Sequence, residues 1–211
     1  MTHSSFSTDP PVPARAGRPR ISSQAVIERT ALDLFLRNGF DATTMDDIAA
    51  ACGLGRTTVF RYFRFKEAIL WYGFDVHIDD LRSRLDEQPA GKALSARVRD
   101  AVLEAFSRSQ DDDGMWIARF RVLQASDGLN AETSHRWLLW AEAVSAYVAG
   151  QTASSGGGDV LAAAFGGAIQ ATYLTTLRRW VAEIPDVATR DGIMRTNVDA
   201  VARLFAPTFD A

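Results

Sequence analysis

Between Thr44 and Lys66 two short amphipathic segments meet at Gly53-Leu54-Gly55, and no other feature of the chain narrows its fold as much. A connection this short, with glycine at both ends, permits only a tight turn, so the two segments must pack against one another. The first opens with Thr44 at the N-cap position and with Asp46 and Asp47 in the first turn. Free N–H groups and the helix dipole favour acceptors and negative charge there. Met45, Ile48, Ala49 and Cys52 recur on its inward side. The second segment runs from Arg56 to about Phe63. Placing Val59 and Phe63 inward turns Thr57, Thr58, Arg61 and Arg64 outward, with Phe60 at the boundary and Arg56 at the helix start.

A cationic, hydroxylic face of this kind fits the major groove of B-DNA when a second helix crosses the backbone and holds it there. The planar fork of arginine donates two parallel hydrogen bonds to guanine O6 and N7, and threonine offers a hydroxyl or a methyl group. Arg56 is therefore the leading base reader, with Thr57, Thr58 and Arg61 beside it. Thr44 and Lys66, each at a helix start, are placed to hold phosphates and set register. A merely solvated face is the plainer alternative for any short helix pair. The turn, the basic arm upstream and the charge distribution together weigh against it: residues 1–66 hold nine Lys/Arg against six Asp/Glu, or +3, whereas residues 67–211 hold fourteen against twenty, or −6, a split that carries little weight alone.

Upstream, residues 1–21 carry prolines at 10, 11, 13 and 19 and show no hydrophobic period, as expected of a flexible arm. The arm ends in Arg18-Pro19-Arg20, and Arg18 and Arg20 suit an adjacent minor groove. From Ser22, the residues Val26, Ile27, Thr30, Ala31, Leu34 and Phe35 recur at helical spacing until Asn38-Gly39 closes a first helix. Beyond Lys66 the pattern is helical throughout: about 67–87, 94–109, 115–125, 131–150, 159–184 and 188–206. Breaks fall at Pro89 to Gly91, Asp111 to Gly114, Asp127-Gly128, 154–158 and Pro185. The expected fold is all-α: an arm (1–21), a helix-turn-helix DNA-binding domain (22–66) and a larger helical body (67–211).

At this point GRPR, followed by LDLFLRNGFDATTMDDIAAACGLGRTTVFRYFRFKEAIL, resembles the DNA-binding domain of the TetR family of regulators over residues 18–70. The resemblance implies a homodimer of all-helical subunits, a body that encloses a small-molecule effector, and a four-helix interface built from the last two long helices. By position it places Thr44, Arg56, Thr57, Thr58, Phe60, Tyr62 and Lys66 where family members touch double-stranded operator DNA. Two positions depart from the pattern. Phe60 replaces a more usual tyrosine and so lacks its phosphate hydrogen bond, and Gly55 replaces the serine or threonine that often caps the third helix. More narrowly, GRTTVFRYF with ILWYGFDVHIDDLRSRL is similar to regulators associated with the mycofactocin redox-cofactor system, which implies an acyl-CoA effector.

Aromatic residues concentrate in the middle of the body, and Trp116, Phe120, Trp137 and Trp140 are candidates to line an effector pocket, with plain core packing as the alternative. His135 reads as a surface residue. Small residues from Ala162 to Ala168, followed by Leu174, Leu177 and Trp180, make 159–184 one half of a dimer seam. The glycine pair Gly166-Gly167 marks either close helix approach or a wall left open for ligand. The other half is 188–206, with Ile193, Val198, Val201, Leu204 and Phe205.

Other function classes find little support. His3, His77, His135 and Cys52 form no metal-spaced cluster, and there is no G-x-S-x-G or phosphate-cradling loop, so neither an enzyme, a metal site nor a cofactor is expected. His77 with Asp79 and Asp80 comes closest and reads as a solvated helix face. Cys52 reads as a small buried hydrophobe rather than a redox switch. The most apolar run, Val160 to Leu177, is interrupted by glycines, Gln170 and threonines and falls short of the roughly 18 apolar residues of a membrane span. With one cysteine and no secretory start, a cytoplasmic protein associated with the nucleoid is expected. A ligand-responsive repressor is the leading reading; an activator or architectural protein without ligand remains open.

Overall fold

Nine α-helices and no strand form among the residues that the computed structural model describes, which are 23–110, 114–152, 158–182 and 186–210. The head comprises α1 (Ser23–Asn38), α2 (Met45–Ala51) and α3 (Arg56–Tyr62). The body comprises α4 (Lys66–Glu87), α5 (Leu94–Ser109), α6 (Met115–Ala125), α7 (Asn130–Thr152), α8 (Gly158–Ala182) and α9 (Val187–Phe209). The arm residues Arg18 and Arg20 lie outside the described residues, as do Asp111, Asp112, Asp113 and Pro185 among the expected breaks.

Local chemistry accounts for the head. Gly53 adopts φ +63°, a conformation open to glycine at no steric cost, and this reverses the chain between α2 and α3. Thr44 and Asp47 form a reciprocal capping box, in which the Thr44 hydroxyl accepts from Asp47 N–H and the Thr44 N–H donates to Asp47 Oδ2. Gly55 caps α3 without a side-chain bond. Inside, Ile27, Leu32, Ile48 and Val59 have no exposed surface, and Phe35, Phe40 and Phe63 close around them. Each such side chain contributes about 1.5–3 kcal/mol on burial. Cys52 is half-buried rather than enclosed, because it lies at the C-cap of α2, where the chain turns outward.

One hydrophobic cluster continues from the head through Ile69, Leu70, Phe74 and Leu81 of α4 into the body as far as Val198 of α9. The body interior is filled by interlocking rings. Phe74 packs on Trp116 and Trp137, Tyr173 on Phe106 and Trp140, and Phe106 on Trp180, with ring centroids 5.0–5.8 Å apart. At Gly166 an added Cβ would meet Ser145 Oγ at 2.1 Å and the Ala141 carbonyl at 2.7 Å, so this glycine serves close approach of α8 to α7. Gly167 beside it has nothing within 4 Å.

Three expectations change. The segment Gly158–Trp180 is, by length and composition, long and apolar enough to cross a membrane, since its alanines and large apolar residues outweigh the glycines and polar interruptions. Here it packs against α6, α7 and α9. The Asp127-Gly128 break contains a 3-10 turn, Asp127–Leu129. Finally, α9 runs past 206 through Pro207 to Phe209, because Phe205 and Phe209 stack on Phe165 at 4.8 and 5.6 Å and Asp210 accepts from Ser95 N–H at 3.0 Å.

Candidate functional site

Helix α3 presents two unlike sides. Val59 and the following Phe63 are buried, while Arg56, Thr57, Arg61 and Arg64 are exposed and Thr58, Phe60 and Tyr62 are half-buried. Arg56 donates to Asp46 of α2 at 3.0 Å, and its guanidinium lies 5.1 Å from the Phe60 ring centroid. Arg61 lies similarly over Tyr62 at 5.4 Å. Both members of the Arg56–Asp46 pair are more than half exposed, so water screens it and its contribution is about 0–1 kcal/mol. A phosphate or base edge displaces such a partner readily. The aromatic departure Phe60 thus supplies a platform for Arg56 in place of a tyrosine hydroxyl.

The two expected phosphate anchors are engaged otherwise. Lys66 Nζ donates to the carbonyls of Phe40 at 2.7 Å, Asp41 at 3.2 Å and Thr43 at 3.3 Å, and sits 4.4 Å from the Phe40 ring centroid. All three N–H bonds of the ammonium are used in closing the α1–α2 turn onto α4. Lys66 is therefore a clamp in this structure, a role hidden from a reading that considered its position at a helix start. The Thr44 hydroxyl donates to Asp47 Oδ2 at 2.7 Å while accepting from Asp47 N–H. That network holds the Asp47 carboxyl below the usual carboxylate range, which keeps a negative charge where a phosphate would approach.

A cavity of about 340 Å³ opens at the junction of head and body. Its walls come from α1 (Ala25, Glu28, Arg29), α4 (Gly73, Val76, His77, Asp80), α5 (Ala105, Arg108, Ser109) and α6 (Met115, Trp116, Arg119). Of the four aromatic pocket candidates, Trp116 lines this cavity. Trp137 edges a separate cavity of about 310 Å³ beside Leu123 and Leu174. Phe120 and Trp140 are 3% and 0% exposed and belong to the ring-packed interior, because those rings fill the space a body-centred pocket would need.

Two features of the cavity escaped the sequence reading. His77 is 4% exposed rather than solvated. Its ring packs 4.4 Å from Trp116 and its Nε2 lies 3.3 Å from the Tyr173 hydroxyl. Burial, aided by the Arg119 guanidinium, pushes its pKa down to about 3, so the ring is neutral. Helical spacing carried the signal, since Phe74, His77, Ile78 and Leu81 form one stripe. Glu28 and Arg119 form an ion pair with side chains 9% and 6% exposed. Gly73 N–H also donates to Glu28 Oε1 at 3.0 Å, and a Cβ at Gly73 would strike Arg119 Nη2 at 2.0 Å.

On α8 and α9 several large apolar residues face outward among exposed arginines and threonines. Val160, Leu161, Ile193 and Leu204 are 76, 45, 38 and 74% exposed, and the groove between the two helices is mixed, with Ala171, Ala200 and Val201 beside Thr172, Thr175, Thr176, Arg179 and Asn197. His135 is exposed, in agreement with its sequence reading. Among the described residues no group of three or more His, Cys, Asp or Glu is placed to hold a metal ion.

Comparison with known proteins adds the following. The family model for bacterial regulatory proteins of the tetR family matches residues 27–71, and that for the MftR C-terminal domain matches residues 92–206. A candidate mycofactocin biosynthesis transcriptional regulator, MftR of Mycobacterium tuberculosis, is 32% identical over 139 residues, covering 66% of this chain and 70% of that one. Two solved structures share the fold. One is the triclosan complex of SmeT, repressor of the Stenotrophomonas maltophilia multidrug efflux pump SmeDEF, with TM-score 0.65, 16% identity and coverage of 86% and 90%. The other is the Thermus thermophilus repressor FadR with lauroyl-CoA, with TM-score 0.55, 22% identity and coverage of 86% and 92%.

Proposed function

Because the chain belongs to the TetR family of bacterial regulatory proteins and carries an MftR-type C-terminal domain, we propose that it is a homodimeric repressor that binds a palindromic operator and responds to a small, largely apolar effector. It is a transcriptional regulator rather than an enzyme. The observation that carries the operator reading is the two-sided α3. Val59 and Phe63 anchor one side in the head while Arg56, Thr57 and Arg61 are exposed on the other, with Arg56 and Thr57 at the end of the helix that meets base edges. Thr58 and Tyr62 border that face, and the arm residues Arg18 and Arg20 reach the neighbouring minor groove.

The exposed apolar residues of α8 and α9 support dimerisation, since side chains such as Val160 and Leu204 otherwise stand in water. Two heads held by such a seam meet half-sites about 34–36 Å apart on one face of DNA. A ligand that stabilises a different spacing of the heads then weakens both contacts together. An acyl-chain effector, with acyl-CoA as its first candidate, draws support from the MftR-type domain and from the lauroyl-CoA complex of the FadR neighbour. On this reading the protein works in the cytoplasm, on chromosomal DNA.

The test is anisotropy of labelled DNA from the region upstream of the protein's own gene, with competing random DNA, followed by addition of acyl-CoA. Specific binding that acyl-CoA lowers supports the reading. Equal affinity for both DNAs contradicts it, and specific binding that no apolar ligand alters favours a regulator without an effector.

A further inference from the structure

The junction cavity is shared between α1, which belongs to the DNA-binding head, and α4 and α6 of the body. Arg108 and Arg119 face Glu28 and Asp80, and Asp80 is already paired with Arg84 at 3.5 Å. Arg29 and Arg108 are exposed and flank the mouth. Arg119 is buried at the inner wall. Its Nη2 donates to Glu28, whereas its Nε–H, also buried, has no hydrogen-bond partner. His77 opposite is neutral and offers Arg119 no competing charge. The remaining wall, from Val76, Ala105, Met115 and Trp116, is apolar. A buried guanidinium that lines an apolar cleft and already holds a carboxylate suits a carboxylate with a hydrocarbon tail. The volume, about 340 Å³, lies at the small end of ligand cavities.

We propose that this cavity binds an amphiphilic organic anion whose carboxylate seats on Arg119 and whose hydrocarbon lies against Val76, Met115 and Trp116. The anion competes with Glu28, because two carboxylates crowded on one guanidinium repel one another. Displacing Glu28 removes the ionic tie between α1 and α6 and leaves Gly73 N–H as its remaining partner. The binding claim stands alone; its consequence for DNA rests on the regulator reading above.

Isothermal titration of the full-length protein with decanoate, 1-decanol and decyltrimethylammonium tests the site. Decanoate is expected to bind at least about tenfold more tightly than decanol, with the cation weakest. Glu28→Gln widens the gap between decanoate and decanol by releasing Arg119, and Arg119→Met abolishes it. Should Arg119→Met fail to fold, the Glu28→Gln/Arg119→Met double variant, which buries no charge at the pair, carries the same readout. Decanol binding as tightly as decanoate overturns the proposal, as does a preference that survives loss of Arg119. Operator binding separates the two readings. Decanoate that binds with these preferences and lowers DNA affinity supports both. Decanoate that binds but leaves DNA affinity unchanged upholds the anion site and removes its regulatory role. Release by decanoyl-CoA with no binding of decanoate upholds the regulator and overturns the anion site.

Discussion

Arg119 of α6 and Glu28 of α1 form a buried ion pair across the junction of head and body, tucked against α4 where Gly73 leaves room for it. Removing one partner strands the other charge in a site less than a tenth exposed. Breaking a pair of this kind costs about 3–5 kcal/mol, whereas replacing both members by uncharged groups is close to neutral. Chemical denaturation of Glu28→Gln and Arg119→Met is expected to show losses in that range. The Glu28→Gln/Arg119→Met double variant should recover most of it. Additive losses in the double-mutant cycle would mean that the two residues act independently.

Acid should weaken the fold through His77. Its folded-state pKa, about 3, lies below the value of 6.5 for a free histidine. The native ring therefore stays neutral while the unfolded chain takes up a proton as pH drops below 6.5. The stability it contributes is intact above that pH and is lost progressively as pH falls toward 3. At pH 5 the loss amounts to roughly 2 kcal/mol relative to pH 7. Comparing denaturation midpoints at pH 7 and 5 for wild type and His77→Phe checks this, and the variant should lack that part of the acid sensitivity. An equal pH dependence in both would remove His77 from the account.

For Lys66 the prediction concerns stability rather than DNA. Its ammonium donates to three carbonyls of the turn between α1 and α2, and hydrogen bonds to charged groups contribute about 1.5–3 kcal/mol. Lys66→Met should lower stability by about that much and leave the salt dependence of DNA binding nearly unchanged. A salt slope flattened by about one unit at unchanged stability would restore Lys66 as a phosphate contact.

Much of this architecture is legible in the sequence because its signals are local. The Thr44 cap, the Gly53-Leu54-Gly55 turn and the spacing of Val59 and Phe63 lie within a few residues of what they determine. Helix α9 runs past the 206 that the helical pattern suggests, since stacking of Phe205 and Phe209 on Phe165 from another helix outweighs the local cost of Pro207. The cavity was not legible. Glu28 and Arg119 are separated by 91 positions, Lys66 finds its carbonyls 23–26 residues upstream, and periodicity does not say which distant group a long polar side chain will meet. Trp116, Phe120, Trp137 and Trp140 share one composition but not one fate, because only packing decides which ring meets a void. His77 was misread from its acidic neighbours Asp79 and Asp80 although its helical spacing placed it inward.

The central claim, that α3 reads base edges through Arg56, is tested most directly by Arg56→Ala on two DNAs. One is a site selected by the wild-type protein from a randomised library, and the other is random duplex at the same salt. Arg56→Ala should weaken binding to the selected site by about 1–3 kcal/mol, relax preference at one base pair per half-site, and change affinity for random DNA far less. Equal losses on both DNAs would show that Arg56 contacts the backbone and that the base-reading assignment is wrong.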